Sequence, residues 1–233
     1  MENVVPYITS KFDGFLSNDY MRPILTQKNS SFNFREIMDD RKILLINLSK
    51  GRLGELNSSL LGLIIVGKIL MAALSRVDTD EDNRPPFYLY IDEFQNVTTN
   101  SISQILSEAR KYGLSLNIAH QFIKQIDEGI KDSVFGNVGS MAVFRVGQED
   151  AEFLEKQFKP TFTANDISSV DNRNAYLKML VDGSPQPPFN IRTLAPEKGN
   201  KDQVKYLQNI SFQKYGKDRE EIENRIREEL ADM

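Results

Sequence analysis

The chain has 233 residues, enough for one large domain or for a domain with a helical appendage. Its content of 40% hydrophobic and 27% charged residues is typical of a soluble globular protein. The lack of cysteine excludes disulfides, thiolate metal sites and a cysteine nucleophile, and the net charge of −4 excludes an overall basic footprint for nucleic acid.

The first third of the chain predicts a helix, a strand and a second helix. Residues 4–26 carry apolar side chains at helical spacing, with a break expected near Pro23. Ile43–Leu48 predicts a short buried strand, and residues 55–76 predict a long apolar helix. The most apolar part, residues 60–74, is too short to span a bilayer, and the start of the chain lacks a signal-peptide pattern. The chain is therefore expected to carry no transmembrane segment.

One short motif within the second predicted helix is misleading. Gly62 to Lys68 have the glycine-to-lysine spacing of a P-loop, but Ile69 stands where Ser or Thr must hold Mg²⁺. The motif also lies inside an apolar helical pattern, where no free backbone N–H groups can bind phosphate. The chain contains no other candidate P-loop.

An apolar run that stops on two adjacent carboxylates is the most informative stretch. Phe87–Ile91 predicts a buried parallel strand, and Asp92 and Glu93 follow directly. At the carboxyl edge of an α/β sheet, such a pair can hold Mg²⁺ and orient water beside a phosphate, as a Walker B element does. The alternative is an ordinary strand-to-helix turn with Asp92 as a helix cap.

A glutamine occupies the corresponding place after the next predicted strand. Residues 101–111 predict a helix that Gly113 caps, and Leu114–Ala119 predicts a strand, followed by His120 and Gln121. If the two strands are neighbours, the amide of Gln121 lies near the acids and can bond both an attacking water and a γ-phosphate oxygen. Its alternative role is to cap the following helix. The single histidine excludes a multi-histidine metal site and is expected to pack or hydrogen-bond.

Three cations are further candidates. Arg110 and Lys111 precede the second strand, so about 17 to 20 Å separates them from the acids of their own chain. They either stabilise a helix C-terminus or, in the case of Arg110, reach the nucleotide of an adjacent subunit as an arginine finger. Arg145 ends the predicted strand 141–146 and could line the same edge as Gln121.

The remaining pattern predicts further helices and strands. Helices are expected at residues 130–138 and 148–158, and strands alternating with helices predict a parallel sheet with right-handed crossovers. Residues 176–181 and 189–193 predict a two-stranded excursion, and residues 217–230 predict a charged helix. The apolar stripe of that helix consists only of Ile222, Ile226 and Leu230.

Taken in order, several blocks resemble the C-terminal part of the ATPase domain of TraG/TraD-like type IV secretion coupling proteins, which belong to the HerA/FtsK group of RecA-like motors. The resemblance covers about residues 4–195, and its blocks are residues 43–54, 90–95, 108–114, 120–121 and 144–147. It implies an α/β, RecA-like P-loop NTPase sheet flanked by helices, without the P-loop strand. It also implies a helical lead-in at residues 1–40, the Walker B half of the core at 41–195 and a helical tail at 196–233.

The resemblance implies a role for each candidate residue. Asp92 corresponds to the Mg²⁺-associated Walker B acid, Glu93 to the base that activates water, Gln121 to the γ-phosphate sensor and Arg110 to the trans-acting finger. Arg145 is a lower-ranked candidate for nucleotide binding. The implied cofactors are ATP and Mg²⁺.

The implied assembly is a bacterial, homo-oligomeric ring, a hexamer, that hydrolyses ATP to drive DNA or a DNA–protein substrate through its channel in conjugation. The expected location is the cytoplasm, at the inner face of the membrane through secretion-system partners. Because the family's P-loop strand is missing between the strands that lead to Gln121 and Arg145, an upstream segment or another subunit must supply it, and the chain is not expected to be an active ATPase alone.

The sequence is also compatible with two other interpretations. The chain could be a non-catalytic ring-forming or substrate-docking module derived from such an ATPase. It could also be an unrelated α/β domain with a chance Asp-Glu pair.

Overall fold

The computed structural model describes residues 15–98, 102, 105 and 108–231, apart from the side chain of residue 230. Its helices are α1 (Met21–Leu25), α2 (Phe34–Asp39), α3 (Lys50–Leu53), α4 (Glu55–Leu74), α5 (Glu128–Asn137), α6 (Gln148–Phe158), α7 (Ala164–Ser169), α8 (Lys201–Tyr215) and α9 (Arg219–Ala231). Its strands are β1 (Phe87–Ile91), β2 (Leu114–Ile118), β3 (Met141–Val143), β4 (Asn174–Lys178), β5 (Leu180–Val181), β6 (Ser184–Pro185) and β7 (Phe189–Arg192).

The chain divides into two compact units. One comprises residues 70–198 and the other residues 1–69 together with 199–233, so the division falls inside α4. All of the strands listed above belong to residues 70–198. The predicted boundaries at residues 40 and 195 stay a prediction.

The strands β1 and β2 form a parallel pair, as the sequence predicts. Phe87 lies opposite Leu114 and Ile91 opposite Ile118, so the two strands end at the same level. Gly113, which precedes β2, adopts the left-handed conformation with φ 74°, as expected of a glycine that caps the preceding turn. The carboxyl ends of both strands therefore lie side by side.

One face of this pair is exposed, although the sequence predicts that the strands are buried. Tyr88 is 57% and Tyr90 73% exposed, and they pair with the exposed Ser115 and Asn117 on β2. Parallel sheets are normally covered by other elements on both faces, which is why the continuous apolar run indicated full burial. The prediction of a fully buried strand is therefore wrong for this face.

The strand predicted at residues 141–146 belongs to a different sheet. β3 pairs antiparallel with β4, and β4 pairs antiparallel with β7. The prediction that this strand joins a parallel sheet is wrong, because its described hydrogen-bonded neighbour comes from the later two-stranded excursion, which is itself confirmed. The strand is also shorter than predicted and ends at Val143.

The core beside this sheet is formed by apolar side chains of α6, α7, β3 and the 3₁₀ turn that begins at Ile123. Its buried members are Ile123, Val143, Ala151, Leu154, Phe158 and Ile167. The helix 148–158 is confirmed with its predicted bounds, and its buried residues Ala151, Leu154 and Phe158 recur at helical spacing.

A buried arginine connects the segment after α4 to both strands of the parallel pair. Arg76 is completely buried, and its Nη1 donates to the carbonyl oxygens of Pro85 (2.9 Å) and Tyr112 (3.1 Å). Arg84 adds hydrogen bonds from its Nε to the carbonyl oxygens of Arg76 (3.0 Å) and Thr79 (2.7 Å). These contacts position the residues that enter β1 and β2.

In the other unit, α1 and α9 are linked by ion pairs. Arg22 lies 3.6 Å from Glu223, Lys28 lies 2.7 Å from Glu229, and Ile222 of the predicted stripe is buried.

Pro23 lies inside α1 rather than breaking a helix, because a proline in the first turn of a helix removes no helical hydrogen bond. The part of the lead-in helix before residue 15 lies outside the described residues.

The prediction of a buried strand at residues 43–48 is wrong. It contains no regular strand, and Ile43 is 89% and Leu45 82% exposed. The apolar pattern is suited to a buried strand, but no described strand pairs with it. A strand needs such a neighbour to satisfy its backbone N–H and C=O groups.

The predicted long helix is confirmed as α4, and it contains the P-loop-like spacing Gly62 to Lys68 within its helical turns. With the short 3₁₀ turn that follows it, this apolar helix spans the 24 residues Glu55–Asp78, long and apolar enough to cross a membrane. The observed helix is therefore longer than residues 60–74, on which the prediction was based, and one such helix is weak evidence for a membrane span. Length and composition do not distinguish a membrane span from the core helix of a soluble protein.

Candidate functional site

The two acids lie at the carboxyl end of β1, in a turn that is anchored to β2. The N–H of Ala119 donates to the carbonyl oxygen of Ile91, and the N–H of Phe94 donates to that of Ala119, both at 2.9 Å. Phe94 is completely buried and begins a 3₁₀ turn that ends at Val97. The turn is therefore fixed by main-chain hydrogen bonds and by an apolar anchor.

Glu93 adopts a left-handed conformation, with φ 50° and ψ 47°. For a residue with a side chain this conformation is strained by about 1 kcal/mol or more, and such residues cluster at functional sites. The N–H of Glu93 donates to Oδ1 of Asp92 at 2.9 Å, which turns the Asp92 carboxylate back toward the main chain. Asp92 is exposed and Glu93 is half-buried.

Gln121 lies close to Glu93, as predicted from the neighbouring strands. Its Nε2 donates a hydrogen bond to Oε1 of Glu93, and its side chain is exposed. The acid and the amide come from the ends of two different strands, 28 positions apart in sequence. The described structure thus brings Asp92, Glu93 and Gln121 together at one edge of the parallel pair.

A further glutamine, which sequence reasoning did not single out, contacts the same carboxylate. Gln95 Nε2 donates to Oε2 of Glu93 at 2.7 Å, so each oxygen of the Glu93 carboxylate accepts from one glutamine amide. Asn96 donates to the carbonyl oxygen of Glu93 at 3.0 Å. The close spacing of Glu93, Gln95 and Asn96 in one turn is the only sequence signal that could have indicated these contacts.

The two arginine candidates are not brought to the acids. Arg110 lies in the 3₁₀ turn before β2, at the opposite end of the strands, as predicted, and is exposed. Arg145 follows β3 and donates from Nη2 to Oδ1 of Asn172 at 3.0 Å. Among the described residues, no hydrogen bond joins either arginine to Asp92 or Glu93.

The described residues contain no group of three or more acidic or histidine side chains placed to hold a metal ion. Mg²⁺ keeps several of its water molecules in proteins, so a magnesium ion at this edge would be held by the exposed Asp92 carboxylate through water.

His120, next to Gln121, is half-buried. Its pKa lies below the ordinary value because burial disfavours the charged ring, and the charge of Asp150 and a main-chain hydrogen bond at Phe122 partly oppose this. Asp150 of α6 also accepts from the N–H of Ile123 at 3.3 Å. The segment that follows Gln121 is thus hydrogen-bonded to α6.

The lowered pKa gives a stability prediction. The folded chain binds fewer protons at His120 than the unfolded chain, so the free energy of unfolding falls as the pH drops below about 6.5. His120→Gln is expected to reduce this loss between about pH 6.5 and 5. Guanidinium unfolding midpoints measured against pH for both proteins provide the comparison; parallel curves would contradict the prediction.

The segment that carries this edge matches a known protein family. Residues 86–157 match the family model described as the TraM recognition site of TraD and TraG, a segment that includes Asp92, Glu93 and Gln121. The resemblance to TraG/TraD-like coupling proteins is confirmed. A search of curated protein sequences gave no match.

Two solved structures of a bacterial conjugative coupling protein, TrwBdeltaN70, share the fold. The unbound monoclinic form matches with a TM-score of 0.52 and 16% identity over 65% of this chain and 40% of that chain. The trigonal form in complex with sulphate gives 0.54 and 16% over 73% and 45%. TrwB in complex with the ATP analogue ADPNP gives 0.48 and 16% over 60% and 39%.

These matches define what is shared. The predicted α/β fold of the RecA-like P-loop NTPase type is confirmed over the part of this chain that the TrwBdeltaN70 structures match. The chain spans about two fifths of the length of the TrwB structures that it matches.

Proposed function

We propose that this chain supplies the Walker B half of the ATP site of a conjugative coupling ATPase. The observation that carries the proposal is the hydrogen bond from Gln121 to the Glu93 carboxylate at the carboxyl ends of two neighbouring parallel strands. In α/β proteins this edge is where nucleotides bind. Asp92 would hold Mg²⁺ through water, Glu93 would accept a proton from the attacking water, and Gln121 would contact the γ-phosphate.

Each role follows from the chemistry of the side chain. An exposed carboxylate such as Asp92 suits the outer shell of a hydrated magnesium ion. Glu93 is fixed by two amides, so its carboxylate is held ready for a water molecule. The amide of Gln121 has a second N–H that can donate to a phosphate oxygen while the first remains on Glu93.

The pairing of the described strands supports the proposal that another segment supplies the P-loop half of the site. β1 and β2 form a two-stranded sheet of their own, and β3 belongs to another sheet, so the described strands contain none that joins β2 to β3. Both edges of the β1–β2 pair lack a strand partner among the described residues. The face of the pair that carries Tyr88 and Tyr90 is exposed. A P-loop strand with its helix, from an upstream segment or another subunit, would fill such a gap.

The proposed assembly is a homo-oligomeric ring, a hexamer, in which Arg110 reaches the ATP site of the adjacent subunit. The exposed position of Arg110, far along the strands from the acids of its own chain, supports a role in trans. DNA or a DNA–protein complex is the proposed cargo, and the proposed location is the cytoplasmic face of the membrane, among secretion-system proteins.

A second candidate function is a non-catalytic docking module. It is favoured by the description of the matched family as the TraM recognition site, which names a protein partner rather than a reaction. The two candidates differ in whether Glu93 is needed. A docking module keeps its partner when the Glu93 carboxylate is replaced, and an ATPase half loses turnover.

The proposal predicts that the isolated chain binds ATP poorly, because the backbone N–H groups of a P-loop are missing. Fluorescence anisotropy with a labelled ATP analogue should show no saturation for the chain alone. Addition of a P-loop-bearing segment of a coupling ATPase encoded in the same genome should produce saturable binding. Tight binding of ATP by the monomeric chain alone would contradict the proposal.

A further inference from the structure

The Glu93 carboxylate is held by two glutamines that differ in their surroundings. Gln95 lies in the same turn as Glu93, between the buried residues Phe94 and Val97, and is itself only partly exposed. Gln121 lies at the end of the other strand and is exposed. The amide of Gln95 is therefore confined by its buried neighbours, whereas the amide of Gln121 borders solvent.

The orientation of the Gln95 amide is determined by its contacts. Nε2 donates to Glu93 Oε2 at 2.7 Å, and a reversed amide would place its oxygen against the carboxylate. The Gln95 Oε1 atom is buried and has no hydrogen-bond partner among the described residues. Because an unsatisfied buried acceptor is unfavourable, the fold keeps Gln95 in this place at a cost to its own hydrogen bonding.

The contact also explains how the strained turn is held. Glu93 has a left-handed backbone, which its side chain and the next residues must stabilise. Asn96 binds the carbonyl oxygen of Glu93 at 3.0 Å, and Gln95 binds its carboxylate. One short turn thereby fixes both the main chain and the side chain of the proposed base.

We propose that Gln95 is a positioning residue for Glu93. Its amide holds one oxygen of the carboxylate in place while Gln121, on the other oxygen, directs its second N–H toward the γ-phosphate. The inference rests on the proposed function for its catalytic consequence, and on the observed hydrogen bond for its structural part.

The structural part is tested on the 233-residue chain itself by NMR. Gln95→Met, which keeps the length of the side chain and removes the hydrogen bond, should shift the side-chain signals of Glu93 and Gln121 and leave the backbone signals of β1 and β2 in place. The matched control is Gln148→Met, because Gln148 donates to Glu152 at 3.0 Å on α6. That variant should leave the Glu93 and Gln121 signals unchanged.

Two results of this experiment would overturn the inference. Unchanged Glu93 and Gln121 signals in Gln95→Met would mean that the amide does not hold the carboxylate. Loss of the backbone signals of β1 and β2 would mean that Gln95 supports the fold rather than the position of one side chain.

The catalytic part is tested in the assembly with the P-loop-bearing segment. Gln95→Met should lower kcat for ATP hydrolysis about 10- to 100-fold, since a small displacement of a reacting group has effects of this size, with the KM for ATP little changed. A raised KM with intact kcat would overturn the inference. If the wild-type assembly binds no ATP at all, the proposed function fails, and the NMR result still decides the structural part.

Discussion

Glu93→Gln is expected to reduce ATP hydrolysis by the chain, combined with a P-loop-bearing segment, about 10²- to 10⁴-fold. The reason is that an amide cannot accept the proton of the attacking water, and general-base catalysis contributes a factor of this size. Binding of ATP should persist, because Asp92 still carries its carboxylate for Mg²⁺. The measurement is a steady-state phosphate-release assay on wild-type and variant assemblies purified side by side.

The matched control is Glu152→Gln. Glu152 is an exposed glutamate on α6 that also accepts from a glutamine side chain, Gln148. This variant should hydrolyse ATP at the wild-type rate. Activity that survives Glu93→Gln would show that the base has been assigned to the wrong residue, and an inactive wild-type assembly that still binds its protein partner would favour the docking module.

Arg76→Met is expected to lower the free energy of unfolding by about 2 to 4 kcal/mol, because charge-assisted hydrogen bonds from a buried guanidinium to two partly buried carbonyl groups are lost. The guanidinium group of Arg76 is completely buried and contacts Pro85, two residues before β1, and Tyr112, two residues before β2. Since folded domains are stable by only about 5 to 15 kcal/mol, the loss should be easy to measure by guanidinium unfolding.

A local readout separates this effect from a general loss of stability. The N–H of Phe87 donates to the carbonyl oxygen of Gly113 at 2.7 Å, and its hydrogen exchange should accelerate in Arg76→Met. The control is Arg192→Met, an exposed arginine in the same unit, which should change stability by less than about 0.5 kcal/mol. An unchanged midpoint and unchanged exchange at Phe87 would show that the buried arginine does not support this part of the fold.

Local sequence patterns were sufficient to predict the elements that position the candidate site. The run Phe87–Ile91 ending on two acids, and the strand that leads to Gln121, are both present and pair in parallel. The placement of Gln121 beside Glu93 followed from the rule that the carboxyl ends of parallel neighbours meet at one edge. The helix 148–158 was predicted with its observed bounds because its apolar spacing and its acidic first turn agree.

The errors concern features that depend on partners rather than on local pattern. Ile43–Leu48 has the composition of a buried strand, but a pattern cannot reveal whether a neighbouring strand is present to pair with it. The same limitation applies to the bare face of Tyr88 and Tyr90 and to the antiparallel pairing of β3. In each case the residue composition is that of a larger, covered sheet, and the described residues form only some of its strands.

The helix α8 lies within the helical tail 196–233 that the resemblance implies, but no local pattern indicated its bounds. Its apolar residues Val204, Tyr206, Leu207 and Phe212 are exposed and do not form one narrow stripe. The signal that could have found it is Asn200, whose side chain accepts from the N–H groups of Asp202 (3.0 Å) and Gln203 (3.3 Å) as a helix cap. Gln95 was missed because its contact depends on the left-handed turn at Glu93, and such a conformation is unusual for a residue with a side chain.

The most direct test of the central claim is a structure of this chain bound to the P-loop-bearing segment, Mg²⁺ and a non-hydrolysable ATP analogue. The account predicts that the γ-phosphate lies within hydrogen-bonding distance of the Gln121 amide, with a water molecule between it and Glu93 and with Mg²⁺ near Asp92. A nucleotide bound elsewhere, with Asp92, Glu93 and Gln121 facing solvent, would contradict it.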